Sequence, residues 1–402
     1  MAGWRTPADG KRLGEQMSKK IPGLLVLLAF LGLSLFLINC GTSSSRPSGV
    51  LYVLSQGANN VGSYAIDLGN GRLSLINTNA TTCPTPPCGF PEAIVLDPTG
   101  AIVFVLDQGA PPVPPTIYAY SVQSDGSLTA TGTPTPLIAG DMSVAMTRDA
   151  GGHFLLVANQ TSSKVTAFGT QPGSANLSLI GSVTVGSQPV AVAIDPSATF
   201  FYVVNQTDNT VGEYDLASGA QMVGSPYATG SVPTAVVAVK TTPTGGSGGL
   251  FVYVANGGSG AGADSVSIFQ VCTVASATCT VQDVANATML PVGTPVSVGL
   301  NPVAMTADPT SNFLYVVNHN SSTVSAFRIN PTTGVLSALN PATVSTGSDP
   351  VAITMHSSGK FLYVSNNGSS NISGFNVSTT SGALSNATNV TSSAQPAGLV
   401  AK

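Results

Sequence analysis

Four side chains in the 402-residue sequence have the types and placement to move a proton or grip a polar ligand: Glu92, Asp107, His319 and Asp349. Glu92 is the most informative. It follows a proline in PEAIVLDPTG (91–100), where the kindred strings QPVAVAIDPS (188–197), NPVAMTADPT (301–310) and DPVAITMHSSG (349–359) carry Val190, Val303 and Val351. A carboxylate in a valine position must face water or meet a donor, because burial without a partner costs several kcal/mol or protonates the group. Glu92 is therefore a candidate ligand contact or general base, with solvated wall polarity as the blander account. His319, in VVNHNSS, is the second candidate base, and a solvated loop histidine would look the same. Glu92, Asp107, Gln188, Asn301, Asp349 and Gln395 make up the candidate ligand-binding set, since amides and carboxylates hydrogen-bond sugars and polar peptide segments.

Other chemistries lack their signatures. The chain has no GxSxG elbow, no HExxH and no P-loop, and its single tryptophan is Trp4. The Asp-Pro pairs Asp97-Pro98, Asp195-Pro196 and Asp308-Pro309 recur at one place in a repeat and read as turn formers rather than metal ligands. Neither close cysteine pair, Cys83 with Cys88 nor Cys272 with Cys279, has a histidine or further cysteine nearby, and the spacings do not match zinc patterns. Both pairs are expected to be disulfides in loops; no metal and no cofactor is expected.

The elements that must position these residues are repeats. FLYVVNHNSSTVSAFRI (313–329) and FLYVSNNGSSNISGFNV (361–377) are two of seven copies of one string, the others at 50–66, 102–122, 154–170, 201–216 and 251–271. Their shared register residue is Ser55, Asp107, Asn159, Asn205, Asn256, Asn318 and Asn366, a period near 50 residues. Each copy reads as four short strands. A proline-led apolar strand comes first, then the YVxN run, then a β-branched and aromatic strand, then a strand after Gly and Leu as in GVLSAL (334–339). Seven such units describe an all-β fold, a seven-bladed β-propeller over residues 50–402. The first copy lacks its proline-led strand, whereas AQPAGLVAK (394–402) looks like one left over. Pairing of that C-terminal strand with the N-terminal blade would close the ring and remove its open edges. In such a ring the candidate residues gather around one mouth of the channel. Asparagine tolerates tight turns and bonds its own backbone, so the five register asparagines read as blade architecture.

The YVxN and PxxAxxxDP strings resemble the YVTN propellers and the neighbouring seven-bladed lactonase family, which includes 6-phosphogluconolactonase-like enzymes. The resemblance implies the propeller fold, and as an activity the hydrolysis of a sugar lactone with Glu92 or His319 as base. Enzymes of that family carry His and Arg in the proline-led strands, often as Pro-His or Pro-Arg-His. This chain has Pro91-Glu92, Pro189-Val190, Pro302-Val303, Pro350-Val351 and Pro396-Ala397 there, so no family catalytic residue carries over. Arg148, His153, His356 and Lys360 fall near turns on the opposite face. The reading that follows is a non-catalytic binding or scaffold module for a protein or glycan, with the lactonase-type hydrolase as the alternative.

Location is read from the first 49 residues. An uncharged run of 18 residues, 21–38, follows Lys19 and Lys20 and precedes Asn39-Cys40-Gly41 and a polar stretch. This is the layout of an export signal, with Met17 as a possible true start and residues 1–39 as leader. Leu37-Ile38-Asn39-Cys40 resembles the bacterial lipobox, although Asn39 stands where a small residue is preferred. Cys40 is thus expected to carry lipid, residues 40–49 to form a tether, and the chain to be a membrane-anchored extracytoplasmic monomer. A spanning anchor is the alternative. Only 7% of residues are charged, against about 25% in ordinary domains. Five of the 13 basic residues precede residue 21, so too few remain to neutralise phosphates and nucleic acid is excluded as a partner.

Overall fold

The computed structural model describes residues 49–81, 89–109, 112–242, 248–258, 264–275 and 278–402. The leader, Cys40 and the Cys83/Cys88 pair lie outside the described residues. Seven antiparallel sheets form, each running from inner to second, third and outer strand. The inner strands of blades 1 to 7 are, in turn, Pro396–Ala401, Pro91–Leu96, Ser143–Arg148, Pro189–Ile194, Pro233–Lys240, Pro302–Ala307 and Pro350–Met355. Each touches the inner strands on both sides, blade 7 against blade 1 included, so the ring is closed.

Burial follows the strand sequences. Second strands such as Phe313–Asn318 (FLYVVN) are buried at every residue because both faces meet neighbouring blades, and only Phe154 of blade 3 is half-buried. An outer strand such as Ser178–Thr184 is largely exposed, Leu179 and Ile180 included. The apolar side chains collect into one cluster per seam. Between blades 6 and 7, for example, Phe313, Tyr315 and Val317 pack on Leu362, Val364 and Phe375.

The closing strand is where the leftover copy places it. Pro396–Ala401 pairs antiparallel with Val50–Ser55, Leu51 opposite Ala401 and Val53 opposite Leu399. Leu399 then completes the seam cluster with Leu51, Phe361 and Tyr363.

The Gly-x-Leu turns before the outer strands have a second purpose. Tyr315 of blade 6 donates its hydroxyl to the Gly382 carbonyl of blade 7 at 2.8 Å, and Tyr253 of blade 5 does the same to Gly334 of blade 6 at 2.8 Å. Tyr363 to Gly71 and Tyr52 to Gly126 repeat the latch across two further seams. Gly382 has φ +76°, and a Cβ there would collide with the Phe313 ring, so only glycine allows the approach.

Two blades depart from the pattern. The outer strand of blade 4 is only Tyr227–Ala228. In blade 5 the Gly-x-Leu turn is replaced by the Cys272–Cys279 disulfide and a helix, Val281–Asn286, with Thr280 and Asp283 forming a capping box. Tyr202 of blade 4 consequently has no glycine carbonyl to meet, and its cross-strand neighbour is the fully buried Glu213. The Asp-Pro turns behave as expected: Asp308 Oδ1 accepts the backbone N–H groups of Asn312 at 2.7 Å and Phe313 at 2.6 Å.

Candidate functional site

Each inner strand enters the sheet through a bulge immediately after its first residue. Pro189 pairs with Asn205 and Ala191 with Val204, leaving Val190 unpaired, and blades 2, 6 and 7 repeat this with Glu92, Val303 and Val351. Glu92 is thus the bulge residue of blade 2 and is half-buried.

Its partner comes from blade 1. Gln56 Nε2 donates to Glu92 Oε1 at 3.2 Å across the seam. Behind Glu92 stands Asp107, opposite Pro91 in the ladder and only 2% exposed. Asp107 Oδ1 accepts the Gly109 N–H at 2.7 Å. Burial, with the Asp107 charge adding to it, pushes the Glu92 carboxyl up to about 7. Burial also raises Asp107, against the backbone N–H groups of Gly109 and Gly89 that favour its charged form. Among the groups able to take a proton at this mouth, Glu92 and Asp107 are the pair the fold couples.

The remaining candidates have local duties. Gln188, Asn301, Asp349 and Gln395 all precede an inner strand with φ between +51° and +53°. Asp349 and Gln395 fold over their own blades, a Cβ at Gly368 colliding with Asp349 and one at Gly57 lying 3.0 Å from Gln395 Oε1, whereas Asn301 reaches blade 5, where a Cβ at Gly257 would lie 2.9 Å from its Oδ1. Thr207 donates its hydroxyl to Gln188 Oε1. Asn301 donates its backbone N–H to Asp264 at 2.8 Å. His319 is a seam residue. Its Nδ1 lies 3.1 Å from the Pro350 carbonyl of blade 7, which fixes a proton on Nδ1, and Gln206 makes the corresponding contact to Pro233 at 3.4 Å.

The register asparagines are architectural. Asn318 is fully buried, and its Nδ2 donates to Thr323 Oγ1 at 3.0 Å and Ser325 Oγ at 2.9 Å. Asn366 makes the same ties to Asn371 and Ser373, and a Cβ at Gly347 would lie 2.9 Å from its Cγ.

Sequence reasoning missed Gln56. A signal existed: glutamine follows the register residue in the first four copies, as Gln56, Gln108, Gln160 and Gln206, and His319 occupies the same position in the sixth. That recurrence marks the position that reaches the next blade.

Charge is divided between the two faces. The strand ends place Glu92, Asp107, Asp141, Asp208, Asp264 and Asp349 on the mouth face with Lys164 as the one cation among the described residues. The other described basic side chains lie at turns on the opposite face. Arg148 there is buried 3.5 Å from Asp97, and Lys402 donates to the Gly100 carbonyl at 3.1 Å. Among the described residues no group of three metal-ligating side chains converges.

A closed ring of seven four-stranded blades, with one coupled carboxylate pair at the channel mouth, defines a β-propeller of the kind that can host hydrolysis. The chain matches the family described as "Lactonase, 7-bladed beta-propeller" over residues 115–240, 195–349 and 336–400, and it belongs to that family. Among solved structures, the periplasmic gluconolactonase of Pseudomonas aeruginosa superposes with a TM-score of 0.66 at 17% identity, covering 88% of this chain and 98% of that one. A candidate 6-phosphogluconolactonase of Bacteroides fragilis gives 0.66 at 14%, covering 90% and 99%. A functionally unknown protein of Desulfotomaculum acetoxidans gives 0.61 at 14%, covering 88% and 98%. At these identities the likeness is one of fold. No curated protein sequence matches the chain. The family match favours the lactonase alternative over the expected non-catalytic scaffold, which nothing in it supports.

Proposed function

We propose that the protein hydrolyses a sugar lactone at the channel mouth, with Glu92 as general base. The observation that carries this reading is the bulge carboxylate itself, which replaces a valine at the head of an inner strand, has Gln56 as its donor and is poised near neutrality. A base with a pKa close to the working pH combines a useful ionised fraction with useful basicity.

In the step proposed, the ionised Glu92 takes a proton from water as the water oxygen bonds to the lactone carbonyl carbon. The carbonyl becomes an oxyanion, for which the Gln56 side-chain amide, already beside Glu92, offers its second N–H as a donor. Collapse of the oxyanion breaks the ring C–O bond, and the departing oxygen recovers the proton from Glu92. The product is an open hydroxy acid. We place this activity outside the cytoplasm, with the chain tethered through an acylated Cys40. Family membership supports the reaction class, and the leader sequence supports the location.

A pH-stat assay of the purified protein on δ-lactones of aldonic acids tests the reaction. Proton release well above the buffer rate is expected. Release at the buffer rate on every lactone overturns the proposal.

A further inference from the structure

Resting on the hydrolase reading, we infer that this mouth selects lactones without a phosphate and rejects their phosphorylated counterparts. The juxtaposition behind it is a reacting carboxylate, Glu92, backed by a second one, Asp107, on a face whose other charged groups are nearly all acidic. A sugar phosphate carries about −1.5 to −2 charge at pH 7. Recognition of such a group calls for arginine or lysine positioned to pair with it. The fold puts these elsewhere.

Arg148 is spent in the buried pair with Asp97 on the far face, where it also donates to the Gly152 carbonyl at 2.8 Å. Arg328, on the same far face, donates to the Thr380 carbonyl at 3.1 Å and lies over the Phe313 ring. Lys240 donates to Ser197 at 2.9 Å. None of these can turn through the ring to the mouth.

Lys164 is the exception, and its position limits it. It opens the third strand of blade 3 and pairs with Asn159 on one side and Thr184 on the other. At about 4.8 Å between strands, its backbone stands roughly 10 Å behind the channel wall. That distance is about one Debye length at physiological salt, so its pull on a phosphate in the channel is largely screened. Glu92 stands in an inner strand itself, with Asp107 one strand behind it. A neutral lactone meets no such penalty, and the anionic hydroxy acid formed from it is repelled by the same carboxylates, which favours product release.

The test compares kcat/KM for δ-gluconolactone and 6-phosphoglucono-δ-lactone on the wild-type protein, at low and at physiological salt, together with Lys164→Met. The neutral lactone is expected to be preferred by about 100-fold at low salt, with a narrower gap at higher salt and no effect of Lys164→Met on the preferred substrate. Equal rates, or a preference for the phosphorylated lactone that Lys164→Met abolishes, overturn the inference while leaving the hydrolase standing. Should neither lactone be turned over, the hydrolase reading itself falls. Calorimetric binding of gluconolactam and its 6-phosphate then decides selectivity, and tighter binding of the phosphate form overturns the inference.

Discussion

Gln56 of blade 1 donates its side-chain N–H to Glu92 of blade 2 at 3.2 Å, so the candidate base is held by the blade that joins the two ends of the folded ring. Closure of the ring and orientation of the base are therefore linked. The pre-strand residue Gln395 is part of the same connection, because its carbonyl accepts the Gln56 backbone N–H.

The pH dependence of turnover follows from that pair. With Glu92 near 7, kcat/KM should rise through a limb close to neutrality and level off above it. Asp107→Asn removes the like charge and should move the limb to lower pH. The variant restores the residue found at Asn159, Asn205 and Asn318, so folding should be retained. Gln56→Leu removes a donor to the charged form and should move the limb upward. Initial rates from pH 5 to 9, corrected for buffer hydrolysis, measure both, and a limb indifferent to either change would separate Glu92 from catalysis.

Glu213 sets a second pH dependence, in stability. It is fully buried against Tyr202 and Tyr227, neither carboxyl oxygen has an aligned hydrogen bond, and Asp195 adds like charge. Burial pushes it up to about 8 from 4.5. Because the folded value is the higher, its contribution is fully present below about pH 4.5 and is lost as pH rises toward 8. Glu213→Gln keeps the shape and cannot ionise, so it should flatten the fall of Tm between pH 5 and 9 relative to wild type. Parallel curves for the two proteins would show that Glu213 does not titrate in this range.

Much of this fold was readable because seven copies of one string share a register, and because AQPAGLVAK supplies the strand the first copy lacks. Glu92 was readable as a departure from Val190, Val303 and Val351. The seam contacts were not. Gln56 and Glu92 are 36 residues apart and meet only once two blades pack. Glu213 looks like an ordinary third-strand residue until blade 5 exchanges its Gly-x-Leu turn for a disulfide and helix, leaving Tyr202 without its latch. The amides at Gln188, Asn301 and Gln395 looked like ligand contacts in the sequence, whereas φ values near +50° show the backbone demand they also serve.

The tyrosine latches can be weighed one at a time. Tyr315→Phe deletes a 2.8 Å buried bond to the Gly382 carbonyl and should cost about 1–2 kcal/mol. Blade 2 carries Phe104 at this position, so the ring itself is tolerated. Urea unfolding of the variant measures the loss, and no change in midpoint would mean that water replaces the hydroxyl without penalty.

Removing residues 394–402 should open the ring. The seam between blades 7 and 1 loses Leu399 and Ala401, and the ladder edge of Val50–Ser55 is bared. A fall in Tm of roughly 10 °C or more, with a broadened transition, is the expected calorimetric result. An unchanged transition would contradict the closure.

The central claim is tested most directly by one rate ratio: kcat/KM for δ-gluconolactone at pH 7.5 in the wild-type protein against Glu92→Gln, with Glu92→Val as the variant that restores the residue of the other blades. A loss of about 100-fold or more in both, with Tm unchanged, is the predicted result. Turnover surviving in either folded variant would contradict the assignment of Glu92 as the base.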